Sequence, residues 1–139
     1  MKVKDAMHKG VDWVNPDTPI TEIAKLMREH DIGCIPIGED DKLIGMVTDR
    51  DIVCKGLANG KFDPARAQAR DVMTEGIHCC REDDDLAKAI HHMQELQVRR
   101  LPVINKNKRM VGMISLGDVS QSTSGDLLAG CVKSVAAHH

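Results

Sequence analysis

Aromatic side chains are nearly missing from this sequence: Trp13 and Phe62 are the whole complement, and there is no tyrosine. Base stacking needs aromatic platforms and phosphate backbones need a basic surplus, whereas the net charge here is −2, so the composition argues against nucleic-acid binding. No apolar run is long enough to cross a bilayer, and Met1 to Gly10 mixes Lys, Asp and His without the apolar core of a secretory signal. A cytoplasmic protein without a membrane partner is expected. Five cysteines (Cys34, Cys54, Cys79, Cys80 and Cys131) form an odd set with no CxxC pair, which reads as thiols rather than disulfides or a structural zinc motif. Catalytic signatures are missing too. There is no Ser-His-Asp elbow, phosphate loop, HExxH or paired-carboxylate pattern, so the chain does not read as an enzyme.

What the sequence does have is an internal repeat. Asp5, Met7, Gly10, Asp17, Met27 and Pro36 recur as Asp71, Met73, Gly76, Asp83, Met93 and Pro102, at one constant offset. Beyond Pro36 the second copy gains one residue in a turn, and Gly45, Met46 and Asp51 then recur as Gly112, Met113 and Asp118. The copies span 1–58 and 68–122. Residues 59–67, with Gly60, Pro64 and charges, read as a linker, and 123–139 as a C-terminal stretch whose Leu127, Leu128, Cys131 and Val135 suit an additional helix assisting assembly.

Each copy reads β-α-β-β-α. Ile20, Ile23, Ala24 and Met27, matched by Leu86, Ala89, Ile90 and Met93, are spaced as one apolar stripe of a helix. Thr18 before Pro19 predicts an N-cap with proline at the first helical position, and Asp84 can cap the second helix. A short β-type run around a proline follows, Cys34–Ile37 and Arg100–Val103. Polar turns then lead to second runs, Leu43–Val47 and Met110–Ile114, and to helices beginning near Asp49 and Leu116. A unit this small covers one sheet face poorly with its own helices, so an α+β body of two repeats packed with pseudo-two-fold symmetry is expected.

The second runs end in a shared segment: Gly45-Met46-Val47-Thr48-Asp49-Arg50-Asp51 in one copy, Gly112-Met113-Ile114-Ser115-Leu116-Gly117-Asp118 in the other. The order of elements, the tandem arrangement and this Gly-apolar-x-Ser/Thr-x-x-Asp pattern resemble the cystathionine-β-synthase (CBS) domain pair, or Bateman module, over almost the whole chain. A hydroxyl at a strand end beside a helix N-terminus can hold a phosphate oxygen, and a carboxylate three residues on can accept both ribose hydroxyls. Thr48 with Asp51 and Ser115 with Asp118 are equally capping boxes, and duplication copies a cap as readily as a site.

The resemblance implies composite pockets, each taking its hydroxyl and carboxylate from one copy and its base-facing residues from the other. Thr48 and Asp51 would then face Ile77, His78, Val98, Arg99, Arg100 and Pro102, where paired guanidinium groups suit phosphate. Ser115 and Asp118 would face Val11, Asp12, Ile32, Gly33, Cys34 and Pro36, where Asp12 repels phosphate. One favoured site is expected. The resemblance further implies a stand-alone regulatory pair binding an adenine nucleotide or relative (AMP, ATP, NAD or S-adenosylmethionine) as regulatory ligand, with no required cofactor, a homodimeric assembly and an effector protein as partner.

Two rivals stand beside this reading. One is a structural or interaction module whose pockets are vestigial and whose Ser/Thr and Asp residues are caps only. The other is a thiol or metal sensor built on His78, Cys79 and Cys80, with His91 and His92 nearby in sequence. Cys79 and Cys80 align with Trp13 and Val14, which favours packing, so no metal ligand is assigned.

Overall fold

The computed structural model describes residues 1–10, 13–76, 78–122 and 125–136. In chain order the elements are α1 (Val3–Ala6), β1 (His8–Lys9), α2 (Ile20–His30), β2 (Cys34–Glu39), β3 (Lys42–Thr48) and α3 (Asp49–Asp51), which runs on as a π-helix over Ile52–Leu57. Then follow α4 (Ala69–Val72), β4 (Thr74–Glu75), β5 (Cys80–Arg81), α5 (Leu86–Leu96), β6 (Arg100–Ile104), β7 (Met110–Ser115), α6 (Leu116–Ser120) and α7 (Gly125–Ala136). They form two compact units, one of residues 12–77 and one of residues 1–11 with 78–139.

Each unit combines the sheet and helices of one repeat with the leading segment of the other. In the 12–77 unit the sheet order is β2-β3-β4, so β4, the start of the second repeat, pairs antiparallel with β3. In the other unit the order is β1-β7-β6-β5, and β1, from the start of the first repeat, pairs antiparallel with β7. Val14 bridges Ile37 in parallel as Cys80 does Val103, so the first strand of the first repeat is reduced to a single bridge.

The exchange also explains how the long helices start. The structure corrects the expected caps: Pro19 and Asp85 occupy the cap positions of α2 and α5, and neither makes a side-chain cap bond. Thr18 instead donates its hydroxyl to Asn15 Oδ1 at 3.2 Å, and Asp84 accepts from the Arg81 N–H at 2.9 Å. The first helical N–H groups are met by backbone from the exchanged segments, Ile20 donating to the Ala67 carbonyl at 3.0 Å and Leu86 to the Met1 carbonyl at 2.9 Å. The exchanged carbonyl thus satisfies the first of the four N–H groups that a helix start leaves open.

Ile20, Ile23 and Met27 are buried with Ile35, Ile37, Val47, Ala67, Ala69 and Val72 in one core. Leu86, Ala89, Ile90 and Met93 are buried with Val3, Cys80, Leu101, Val103, Ile114 and Val119 in the other. Ala24 departs from the expected stripe and is exposed, whereas its counterpart Ile90 is fully buried. The unit holding α5 also contains α7, whose Val135 joins that core and whose Ser134 carbonyl accepts from Gln97 Nε2 at 3.4 Å. The extra helix supplies apolar cover, and a larger side chain stands there. Of the C-terminal residues singled out above, the side chains of Leu127, Leu128 and Cys131 lie outside the described residues.

The one-residue insertion sits in the second hairpin. The first turns through Asp40 and Asp41, both at positive φ, between the paired residues Glu39 and Lys42. The second turns through Lys106 to Lys108 between Asn105 and Arg109, the Asn105 N–H donating to the Arg109 carbonyl at 2.9 Å and Asn105 Oδ1 accepting from the N–H groups of Asn107 at 2.9 Å and Arg109 at 3.1 Å.

Candidate ribose- and phosphate-binding caps

Each repeated segment builds the same local device at a strand-to-helix junction. Thr48 ends β3 in extended conformation and its hydroxyl accepts from the Asp51 N–H at 3.0 Å, while Asp51 Oδ2 accepts from the Thr48 N–H at 3.0 Å. Ser115 and Asp118 repeat this at 3.1 and 2.9 Å. Both are complete capping boxes. Asp51 is buried, with 8% of its surface exposed, and the Asp118 side chain is 10% exposed.

The cap uses only one oxygen of each carboxylate. The other oxygen meets a nitrogen-bearing side chain in both copies, from a different element each time. Asp51 Oδ1 lies 3.2 Å from Lys55 Nζ, one turn further along the same helix, and Lys55 also donates to Thr74 Oγ1 on β4 at 2.8 Å. Asp118 Oδ1 lies 3.0 Å from His8 Nε2, on β1. His8 and Thr74 are repeat-equivalent. Both exchanged strands thus reach the capping carboxylate, one directly and one through a lysine.

Within each unit the junction is tied to the start of the preceding strand. Cys34 stands opposite Thr48 in the β2–β3 register, and the Asp49 N–H donates to the Gly33 carbonyl at 2.9 Å. Arg100 stands opposite Ser115 in the β6–β7 register, and the Leu116 N–H donates to the Arg99 carbonyl at 2.8 Å. Pro36 and Pro102 are buried, Ile32, Cys34 and Val98 half-buried, and His78, Arg99 and Arg100 exposed. Thr48, Asp51, Ile32, Cys34 and Pro36 therefore come together in the 12–77 unit, and Ser115, Asp118, Val98, Arg99, Arg100 and Pro102 in the other. Val11, Asp12 and Ile77 lie outside the described residues.

Lys55 and His8 were not singled out from the sequence. Lys55 left a readable signal, since it stands four positions after Asp51 on one helix. His8 left none, because its place beside Asp118 depends on strand exchange.

Burial keeps the Cys79 and Cys80 thiols protonated. Cys80 is buried with its Sγ 3.9 Å from the Pro102 carbonyl, and burial, reinforced by Asp84, pushes its pKa up to about 12. Burial also raises that of Cys79, against a smaller opposing pull from Arg81. Among the described residues, no three His, Cys, Asp or Glu side chains come together as a metal site. No helix among them is long and apolar enough to cross a membrane.

Two tandem α+β repeats, each ending a strand in a hydroxyl-carboxylate junction, define a CBS pair, and comparison with known proteins agrees. The CBS domain family model matches residues 3–55 and 69–124, and the chain belongs to that family. It is 40% identical over 133 residues to Hypoxic response protein 1 of Mycobacterium tuberculosis, covering 95% of this chain and 92% of that one. The crystal structure of Hypoxic Response Protein I with two coordinated zinc ions superposes with a TM-score of 0.80 at 41% identity, over 89% of this chain and all of that one. The CBS domain pair of MJ0100, in complex with 5-methylthioadenosine and S-adenosyl-L-methionine, gives 0.76 at 27% identity over 87% and 94%.

Proposed function

We propose that this chain is a non-catalytic regulatory module that binds an adenosine-containing ligand and conveys its level to an effector protein. The observation that carries this reading is the division of labour on Asp51 and Asp118. One oxygen closes the helix cap and the other meets only a displaceable side chain, Lys55 or His8, so the carboxylate is fixed in place while keeping an acceptor for a ribose diol. A cap alone requires only the first oxygen. The adenosine ligands of the MJ0100 pair support the class of ligand.

Thr48 and Asp51 form the favoured anchor, and Arg99 and Arg100 supply phosphate affinity. Ser115 and Asp118 form the second anchor, suited to an adenosine group with fewer phosphates. Ile77, His78, Val98 and Pro102, and Val11, Ile32, Cys34 and Pro36, contact the base. The module works as a homodimer in the cytoplasm. Titration calorimetry with adenosine, AMP, ADP, ATP, NAD and S-adenosylmethionine tests the reading: at least one binds saturably below millimolar concentration, and binding by none of them rejects it.

A second reading, metal sensing, draws on the two zinc ions of Hypoxic Response Protein I. His78, Cys79 and Cys80 are the residues that would serve it. Elemental analysis of the purified protein separates the two, since stoichiometric zinc supports metal sensing and nucleotide binding by a zinc-free chain supports the first reading.

A further inference from the structure

The two capping carboxylates differ in what stands on their free oxygen. Beside Asp51 it is the ammonium of Lys55, 3.2 Å from Oδ1, and beside Asp118 it is the imidazole of His8, 3.0 Å from Oδ1. The repeat makes this a matched exchange of parts. Ser122 stands in the second copy where Lys55 stands in the first, and Thr74 stands in the second where His8 stands in the first. One carboxylate is therefore met from the helix it caps and the other from the exchanged strand β1.

These two nitrogens answer differently to acid. An ammonium keeps its charge across the physiological range, whereas histidine is the side chain whose ordinary charge change falls between about pH 5 and 8. A protonated imidazole donates from both nitrogens, and a neutral one carries a single N–H and offers the other nitrogen as an acceptor. The contact with Asp118 Oδ1 is thus charge-assisted in acid and loses that assistance as the proton leaves. Asp118 is the acid that the ring meets. β7, on which β1 packs, has no titratable side chain from Met110 to Ser115, and α6 brings only Asp118. Lys9 follows His8 on β1 and so points to the opposite face of the strand. In α1, Lys4 lies on Asp83 at 3.3 Å and Asp5 accepts from the Lys2 N–H at 3.0 Å.

We propose that His8 makes the Asp118 anchor proton-sensitive, so that acid closes it to a ribose diol while the Asp51 anchor keeps its affinity. The inference rests on the adenosine reading above. In acid the imidazolium holds Oδ1, and an arriving diol has to displace a charged donor. Above the histidine range the ring is neutral and, being 81% exposed, exchanges Oδ1 for water at little cost. The sign follows from linkage: a ligand that binds better when the ring is neutral drives the proton off, so binding at Asp118 releases a proton. Binding at Asp51 releases none, because an ammonium stays charged throughout that range. The module then answers to ligand level at both anchors and to acidity at one.

The test is calorimetric titration with adenosine of two single-anchor chains, Asp51→Asn and Asp118→Asn, at about pH 5.5 and about pH 8. Asparagine keeps an oxygen for the cap. In Asp51→Asn, adenosine should bind about threefold more tightly at the higher pH, the scale of an exposed pair. Near the middle of that range its apparent binding enthalpy should also differ between buffers of different ionisation enthalpy, as proton release requires. In Asp118→Asn both quantities should stay constant. Adding His8→Ala to Asp51→Asn should abolish the pH dependence, and His8→Gln, which keeps a neutral donor, should do the same at an unchanged urea midpoint. Equal affinity at both pH values in Asp51→Asn, or a pH dependence that survives both substitutions, overturns the proton sensitivity and leaves the adenosine reading intact. Adenosine binding by Asp118→Asn alone has the same meaning. Binding by neither chain removes the ribose anchors and the proton sensitivity with them.

Discussion

Nε2 of His8 stands 3.0 Å from Oδ1 of Asp118, on the oxygen that the helix cap leaves over. The imidazole is exposed and the carboxylate is not, with side-chain exposures of 81% and 10%. A ribose diol arriving at Asp118 must displace the ring, whose hold is that of an exposed pair and therefore weak. In an Asp51→Asn background, where only the second anchor operates, His8→Ala should tighten adenosine binding about twofold, with a stability change within about 0.5 kcal/mol. A marked loss of affinity would make His8 a ligand contact instead of a competitor.

The glycines that open the repeated segments are demanded by strand exchange. A Cβ on Gly112 would meet the His8 carbonyl oxygen at 2.4 Å, and one on Gly45 the Thr74 carbonyl oxygen at 2.7 Å. Both obstacles are backbone, so the exchanged strand has to move away. Gly112→Ala is expected to cost about 1–3 kcal/mol by urea denaturation, the usual range for a forced contact, with Gly45→Ala somewhat milder. Because β1 carries His8, Gly112→Ala should also detach the imidazole from Asp118. An unaffected urea midpoint would mean that β1 is not held against β7.

These two contacts mark where sequence reasoning stopped. The repeat, the helices at Ile20 and Leu86 and the strand-to-helix junctions at Thr48 and Ser115 are local, and apolar spacing together with the repeat exposes them. Exchange is not local. Nothing in the spacing of residues indicates that β1 pairs with β7 and β4 with β3, so spacing points to Thr18 and Asp84 as caps where the backbone carbonyls of Ala67 and Met1 accept the first helical N–H groups. Spacing places Ala24 in the stripe because it reports a face of a helix, and it does not report that Ile90 shares a core with Val135 of α7. The capping carboxylates were legible as a pair of alternatives, cap or site. The structure shows the cap on one oxygen and a side chain, Lys55 or His8, on the other.

Thiol reactivity should follow burial. Cys54 is exposed and Cys80 is buried, so a thiol reagent at neutral pH should modify Cys54 first and leave Cys80 intact until the chain unfolds. Because the folded chain holds the Cys80 thiol well above its ordinary pKa, that residue favours the folded state fully at neutral pH. This contribution is lost as pH rises from the ordinary thiol range toward about 12. Urea midpoints should therefore fall above about pH 9, and Cys80→Ala should flatten that fall. Rapid labelling of Cys80 in the native protein would contradict the packing that holds it.

Asp51→Ala and Asp118→Ala separate cap from site when measured together. The two boxes have the same geometry, with reciprocal bonds of 3.0 and 3.0 Å in one and 3.1 and 2.9 Å in the other. If they act as caps only, the substitutions cost similar stability, about 1–2 kcal/mol each, and change nothing else. If they are also ribose anchors, ligand affinity falls as well, and unequally. With Asp51 as the proposed favoured anchor, AMP binding should drop at least about tenfold in Asp51→Ala, the loss of one charge-assisted hydrogen bond, and much less in Asp118→Ala. Equal destabilisation with unequal loss of binding is the signature of a cap that also works as a site, because packing damage alone would move the two measurements together.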